Sequence, residues 1–242
     1  MRVVAVLVAR SAGDHLATTL TRLASQTRPV DALIVVDNGS RGAVRAQCEE
    51  ANPAHIVSTG GRASFGEAVE IAMRVTRADA SPEDVVWLLG QDSAPTPTAL
   101  ANLLAALEVS RSTGIVGPKQ LDAVGFEPGK PGMIAEFGLS TSPGGATISL
   151  VENELDQGQY DSMSDVLAVG ANGMLVRESV WRLLGGFDPA LPFADDALDF
   201  CIRARFAGYL VAVVPSAIVL TSGDGVTALR RVESERDRRR DA

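Results

Sequence analysis

The chain predicts an α/β fold with a mostly parallel central sheet flanked by helices. Three observations lead there. Residues 3–8, 32–36 and 85–89 are near-continuous apolar runs of strand length, as expected for parallel strands covered on both faces. Between the first two lies a stretch with Leu16, Leu20 and Leu23 at helical spacing. A strand, helix, strand unit of that length crosses over right-handedly into a parallel sheet. The strand ends carry Ala9-Arg10, Asp37-Asn38 and Gln91-Asp92-Ser93, which should converge on the carboxyl edge, where open α/β sheets bind ligands.

The elements follow in order. After the first strand, Ser11 to Asp14 lead into the leucine-spaced helix, which Gln26 to Pro29 stop. The second strand ends in Asp37-Asn38-Gly39-Ser40, good turn chemistry in any fold. A helix around 43–50 precedes a third strand at 54–58, and Gly60-Gly61 opens a loop into a helix over 64–77. The fourth strand, 85–89, is followed by Thr96-Pro97, which reads as a capping hydroxyl with proline at the first helical position. Leu100, Leu103, Leu104 and Leu107 form the buried face of that helix, and 114–117 is a fifth short strand.

Between 122 and 161 glycine and proline are frequent, with short β segments expected at 133–139 and 146–151. The run 166–176 reads as a buried strand, followed by a short helix and a Gly185-Gly186-Phe187-Asp188 break. An acidic cluster, Asp195, Asp196 and Asp199, opens a second helix, and an apolar strand at 209–214 leads to Pro215. Residues 230–242 hold six arginines, four acids and almost nothing apolar, a solvated helix or a disordered tail. The expected organisation is therefore one domain, 1–222, and a charged tail, 223–242.

Composition narrows the partners. The 242 residues carry a net charge of −8, which argues against nucleic acid and against anionic lipid for the body of the chain. Cys48 and Cys201 are the only cysteines and lack metal-like spacing; they read as reduced, buried apolar residues compatible with cytoplasm. The apolar start is too short for a cleavable leader, and the 209–220 run is broken by Pro215, short of the roughly 20 residues a membrane span needs.

The strand ends point to a nucleotide-sized ligand without naming a reaction. No G-x-G-x-x-G follows the first strand and no P-loop occurs. His15 and His55 lie far from any nucleophile elbow, excluding a Ser-His-Asp reading. Ser11 to Asp14 do not supply the basic glycine-rich loop of a nucleotidyltransferase. Each acid of the 195–199 cluster also has a plain role at the positive end of a helix dipole. Trp87 and Trp181 read as core residues, and Arg203 and Arg205 as solvated or paired with nearby acids.

The order of elements from 165 to 221, with its G-G-F-D turn and acidic helix start, resembles the second half of the inverting glycosyltransferases of family 2, which have the GT-A fold. The resemblance covers roughly residues 3–221. It implies that Ala9, Arg10, Asp37 and Asn38, with Gly39 and Ser40, hold the base and ribose of a nucleotide sugar. Phe65-Gly66 resembles the family's helix start beside the nucleotide. Gln91 and Asp92 occupy its strand-four metal motif, Asp92 matching the acid that binds Mg²⁺ or Mn²⁺ against the diphosphate. The G-G-F-D turn implies an acceptor side near Asp195 and Asp196. Glu154 to Gln159 and Val169 to Arg177 are similar to phrases in N-terminal glycosyltransferase domains of large actinobacterial membrane proteins.

The implied activity is transfer of a UDP- or dTDP-linked sugar to a cell-envelope glycan or lipid-linked acceptor, in the cytoplasm at the inner face of the plasma membrane. Three positions depart from the family pattern. The general base aligns with Ala197, a metal-binding histidine with Thr221, and the early acids of the metal motif with Gly90-Gln91. Two readings follow: Asp196, or Asp195, stands in as base, or the chain is a degenerate member that binds a nucleotide sugar or a protein partner without turnover.

Overall fold

A computed structural model describes residues 1–61, 63–76, 80–191 and 195–222. The tail expected over 223–242 and the end of the 64–77 helix, at Arg77, lie outside the described residues.

The first half is β1 (Val3–Ala9), α1 (Asp14–Ala24), β2 (Ala32–Asp37), α2 (Ala43–Cys48), β3 (His55–Ser58), α3 (Phe65–Thr76) and β4 (Val85–Gly90). Strands β3, β2, β1 and β4 lie side by side and parallel. Every residue of β1 is buried. Val4, Val6 and Val8 enter one apolar cluster with α3, while Val3, Ala5, Leu7 and Ala9 enter another with α1. A strand feeding two cores in alternation has to read as an unbroken apolar run. Helix α3 begins with a reciprocal cap: the Ser64 N–H donates to Glu67 Oε2 at 2.7 Å, and the Glu67 N–H donates to Ser64 Oγ at 3.1 Å.

The second half is β5 (Ser93–Pro95), α4 (Ala99–Val109), β6 (Thr113–Asp122), β7 (Met133–Glu136), β8 (Leu139–Thr141), β9 (Thr147–Ser149), β10 (Glu154–Leu155), β11 (Leu175–Arg177), α5 (Glu178–Leu184), α6 (Asp195–Phe206) and β12 (Leu210–Thr221). Strand β11 inserts antiparallel between β4 and β6. Strand β12 runs parallel along the opposite side of β6 and ends antiparallel to β5. Among the described residues, no helix is long and apolar enough to cross a membrane.

Several boundaries differ from the sequence reading. The apolar run 166–176 is not one strand; only Leu175–Arg177 is, and the part before it is a buried connection. Gly173 takes φ 86, and a Cβ there would stand 2.6 Å from Pro118, so the chain turns where extension was expected. The last strand does not stop at Pro215. It continues to Thr221 across a register shift between Val214 and Ile218, and such an irregularity accommodates the missing proline N–H.

Helix α4 starts at Ala99 rather than Thr96, because the Thr96 hydroxyl donates to the Ile218 carbonyl at 3.1 Å instead of capping. The fifth strand is longer than 114–117, since β12 pairs along it to Asp122. The 133–139 segment is split into β7 and β8 by Gly138 at φ 72, and the 146–151 segment narrows to β9. Trp87 and Trp181 are buried, as expected. Cys48 and Cys201 are buried and free, and burial pushes their thiols up to about 11 and about 12 respectively.

Candidate active site

Parallel register brings the first strand ends together. Ala9 pairs with Asp37, and Asp37 with Ser58, along the carboxyl edge. Asp37 is buried, and its Oδ1 accepts the Ser40 N–H at 2.8 Å, so the D-N-G-S tip is an Asx turn that leaves Oδ2 for other partners. Asn38 accepts the Thr59 hydroxyl at 2.6 Å and donates through Nδ2 to the Ala63 carbonyl at 2.8 Å. Gly39 lies against Gly61 so closely that a Cβ would meet the Gly61 Cα at 2.5 Å. The β2 and β3 tips are thereby locked to each other.

Arg10 and Gln91 tie the first tip to β4. Gln91 Oε1 accepts the backbone N–H groups of Arg10 at 2.7 Å and Ser11 at 3.1 Å, and its Nε2 donates to Ser11 Oγ at 3.1 Å. In this arrangement Gln91 clamps the β1–α1 loop. The Arg10 guanidinium donates to the Ala63 carbonyl at 3.2 Å, the same oxygen Asn38 uses. Ala63 thus joins the β1 and β2 tips to the start of α3.

Asp92 sits where β4 turns into β5, and it is buried. Pairing of Thr221 with Ser93 carries the end of β12 alongside it, and the Thr221 hydroxyl donates to Asp92 Oδ2 at 3.4 Å. Asp92, which the family resemblance assigns to metal binding, and Thr221, which stands where the family has a metal-binding histidine, are far apart in sequence yet neighbours here. Asn172 braces this turn. Its Oδ1 accepts the Gly90 N–H at 3.2 Å and the Ser93 hydroxyl, while its buried Nδ2 has no hydrogen-bond partner among the described residues.

The acidic cluster divides its tasks. Asp196 is 2% exposed; its Oδ1 accepts the Ala197 N–H at 2.7 Å, and its Oδ2 lies 3.2 Å from where a Gly66 Cβ would be. The same missing Cβ would meet Phe187 Cβ at 3.1 Å. Gly66 therefore packs α3 against both the G-G-F-D turn and Asp196. Asp195 accepts the Thr147 hydroxyl from β9. Asp199 accepts Arg203 Nε at 2.7 Å, and the Arg203 guanidinium donates to the carbonyls of Leu184 and Gly186. Asp199 thus holds the Gly185-Gly186 turn. Arg205 pairs with Asp165 at 2.7 Å, and Ala197 is fully buried among apolar side chains.

The donor set at Asp92 fits a divalent ion that arrives with its ligand. Among the described residues no group of three His, Cys, Asp or Glu could hold a metal. Asp92 and Thr221 nevertheless present hard oxygens side by side. Mg²⁺ commonly binds through one or two carboxylates with substrate phosphates supplying the rest. Three residues of this network had not been singled out from sequence: Thr59, Ala63 and Asn172. For Asn172 a signal exists, since an amide inside an apolar run has to find hydrogen-bond partners.

A mostly parallel sheet with its polar tips on the carboxyl edge and an acid at the fourth strand end is the layout of a GT-A glycosyltransferase. A family model described as "Glycosyltransferase like family 2" matches residues 2–240, and the chain belongs to that family. It is 33% identical over 116 residues to the galactofuranosyltransferase GlfT1 of Mycolicibacterium smegmatis, covering 48% of this chain and 38% of that protein. Staphylococcus aureus TarS 1-349 in complex with UDP-GlcNAc shares the fold at a TM-score of 0.65 and 13% identity, over 90% of this chain and 57% of that one. GalNAc-T7 with UDP, GalNAc and Mn²⁺ does so at 0.67 and 13% identity, over 91% and 44%. The chain thus spans well under two thirds of each of these proteins.

Proposed function

We propose that the chain is an inverting glycosyltransferase that moves a sugar from a UDP- or dTDP-linked donor to a cell-envelope glycan or lipid-linked acceptor. The observation that carries this reading is the meeting of Asp92 and Thr221 at the end of β4, on the edge that also bears Ala9 and Asp37. In this reading the base and ribose lie along Ala9, Arg10, Asp37 and Asn38, and the diphosphate faces Asp92. A divalent ion held at Asp92 and Thr221 would neutralise the leaving diphosphate.

The acceptor oxygen attacks the anomeric carbon, and the bond from that carbon to the diphosphate oxygen breaks, its electron pair staying on the diphosphate. The hydroxyl proton passes to Asp196, with Asp195 the second candidate base. One displacement inverts the anomeric centre. We place the transferase domain at 1–222 with a tail over 223–242. The family resemblance supports an actinobacterial source and a cytoplasmic site at the inner face of the plasma membrane.

A second reading has its own observation. Ala197, at the aligned base position, is fully buried and can take no proton, which favours a member that binds its ligand without turnover. Calorimetric titration of UDP, dTDP and their sugars, with and without Mn²⁺, tests the donor site. Binding tightened by Mn²⁺ and weakened at least ~10-fold in Asp92→Asn is expected. Binding that Asp92→Asn leaves unchanged overturns the assignment of Asp92. Binding to the wild type without any detectable donor hydrolysis or transfer favours the second reading.

A further inference from the structure

Glu136 ends β7, and the transfer chemistry above gives it no task. Its Oε1 accepts two hydrogen bonds at 3.0 Å, from Gln120 Nε2 of β6 and from the Gly170 backbone N–H. Gln120 is buried and stands opposite Glu136 in the β6–β7 pairing, so the carboxylate is itself held while it holds the chain at Gly170. We propose that Glu136 is a positioning residue for the transferase: by fixing Gly170 it places Asn172, and through Asn172 the Asp92 turn. That role rests on the transferase reading above.

Residues 169–173 lie outside every strand, so a side chain supplies the partner that a ladder would otherwise give the Gly170 N–H. The span is attached on both sides of that point. Before it, the Val169 carbonyl accepts the Cys201 thiol of α6 at 3.8 Å. After it, Asn172 Oδ1 accepts the Gly90 N–H at 3.2 Å and the Ser93 hydroxyl, from the two residues that bracket Gln91-Asp92. The glycine itself records the contact. A Cβ at Gly170 would meet Glu136 Oε1 at 2.3 Å and Glu136 Cδ and Oε2 at 2.9 Å, its three nearest atoms. The φ of Gly170 is outside the left-handed region, so the space taken by the carboxylate, not the backbone conformation, calls for glycine.

Calorimetry with UDP, with and without Mn²⁺, and amide exchange followed by NMR test this on the full chain. Glu136→Ala should weaken Mn²⁺-dependent UDP binding at least ~10-fold and leave metal-free binding within about twofold, as loss of support behind a metal ligand does. Exchange of the Gly170 and Gly90 amides should quicken in the same variant. Glu136→Gln keeps an acceptor oxygen of the same reach and should restore both readouts. Glu136→Asp, one methylene shorter, should show the loss more weakly and keeps the test decisive if Glu136→Ala fails to fold. Arg177 bonds the Thr113 and Leu107 carbonyls beside the start of β4, at the far end from Asp92. Arg177→Met should therefore destabilise the fold without changing the Mn²⁺ dependence. Unchanged Mn²⁺-dependent binding in Glu136→Ala, an equal loss of metal-free binding, no rescue by glutamine, or the same loss in Arg177→Met overturns the proposal. Faster Gly170 exchange in Glu136→Ala, in a chain whose wild type binds no UDP or binds it indifferently to Mn²⁺, would instead sink the donor reading and leave the tie to Glu136 standing.

Discussion

Gly66→Ala probes whether α3 is really joined to the G-G-F-D turn and to Asp196. The new Cβ would meet Phe187 Cβ at 3.1 Å, Asp196 Oδ2 at 3.2 Å and Phe187 Cδ2 at 3.4 Å. Phe187 has little room to yield, being wedged against Trp181 and Phe200 at centroid distances of 5.0 and 5.3 Å. Overpacking of this kind costs about 1–3 kcal/mol. Replacing glycine by alanine inside a helix returns up to about 1 kcal/mol, less in a first turn. The expected net loss is about 1 kcal/mol, or a fall in Tm of roughly 2–4 °C for a chain of this size.

Urea denaturation measures the loss, and a cycle with Phe187→Leu isolates its source. In the Phe187→Leu background the alanine should cost at least ~0.5 kcal/mol less, since neighbouring sites couple. Donor hydrolysis or transfer should fall more than stability does, because the displaced group is the Asp196 carboxylate. Gly66→Ala that stabilises the protein by the full helix-propensity gain, with no coupling to Phe187, would refute the junction and the placement of Asp196 with it.

The remaining predictions probe the frame. Asn172→Ala removes the acceptor for the Gly90 N–H and the Ser93 hydroxyl; it should cost about 1–3 kcal/mol in urea and weaken Mn²⁺-dependent UDP binding more than metal-free binding. Lys119 is 2% exposed and bonded to Asp156 at 2.9 Å and Asp161 at 2.6 Å. Lys119→Met should cost about 3 kcal/mol, the low end for a broken buried pair because Asp161 is half exposed. Cys48 and Cys201 should resist dithiodipyridine at pH 8 until the protein unfolds, since burial holds both thiols protonated. As both folded values lie above the ordinary 9.0, the unfolded chain loses these protons first, so stability should fall as pH rises above about 9.

The parallel frame was legible because each inner strand buries two faces and has to be apolar throughout; β1, β2 and β4 declare themselves this way. The nearness of Asp92 to Thr221 was legible only through family resemblance, since nothing local in the sequence announces the pairing of β12 with β5. The segment 166–176 misled for a physical reason. It is buried like a strand, yet its backbone partners are scattered: Val166 donates to Val211, Ala168 to Leu139, and Gly173 to Leu88. Burial sets composition, whereas ladder pairing sets conformation. Gln91 illustrates a different gap, because a polar side chain at a strand tip can bind a ligand or clamp a loop, and only the geometry shows that it clamps one.

The base position is where alignment and geometry have to be separated. Asp196 and Ala197 are consecutive in the first turn of α6, and neighbours in a helix point about 100° apart at 3.6 residues per turn. They leave the helix on different faces. Asp196 turns its Oδ2 against Gly66 of α3, while Ala197 joins the apolar cluster. An ungapped alignment assigns the role by order, but the helix assigns it by face. Ala197→Asp therefore puts a second carboxylate into the cluster with no cation among its named partners, and it should cost about 3 kcal/mol or more in urea without increasing transfer. A variant that folds with wild-type stability and transfers faster would mean that position 197 reaches the acceptor after all. Asp196 would then be an N-terminal helix acid of the ordinary kind, and the chain a lapsed enzyme restored by one carboxylate.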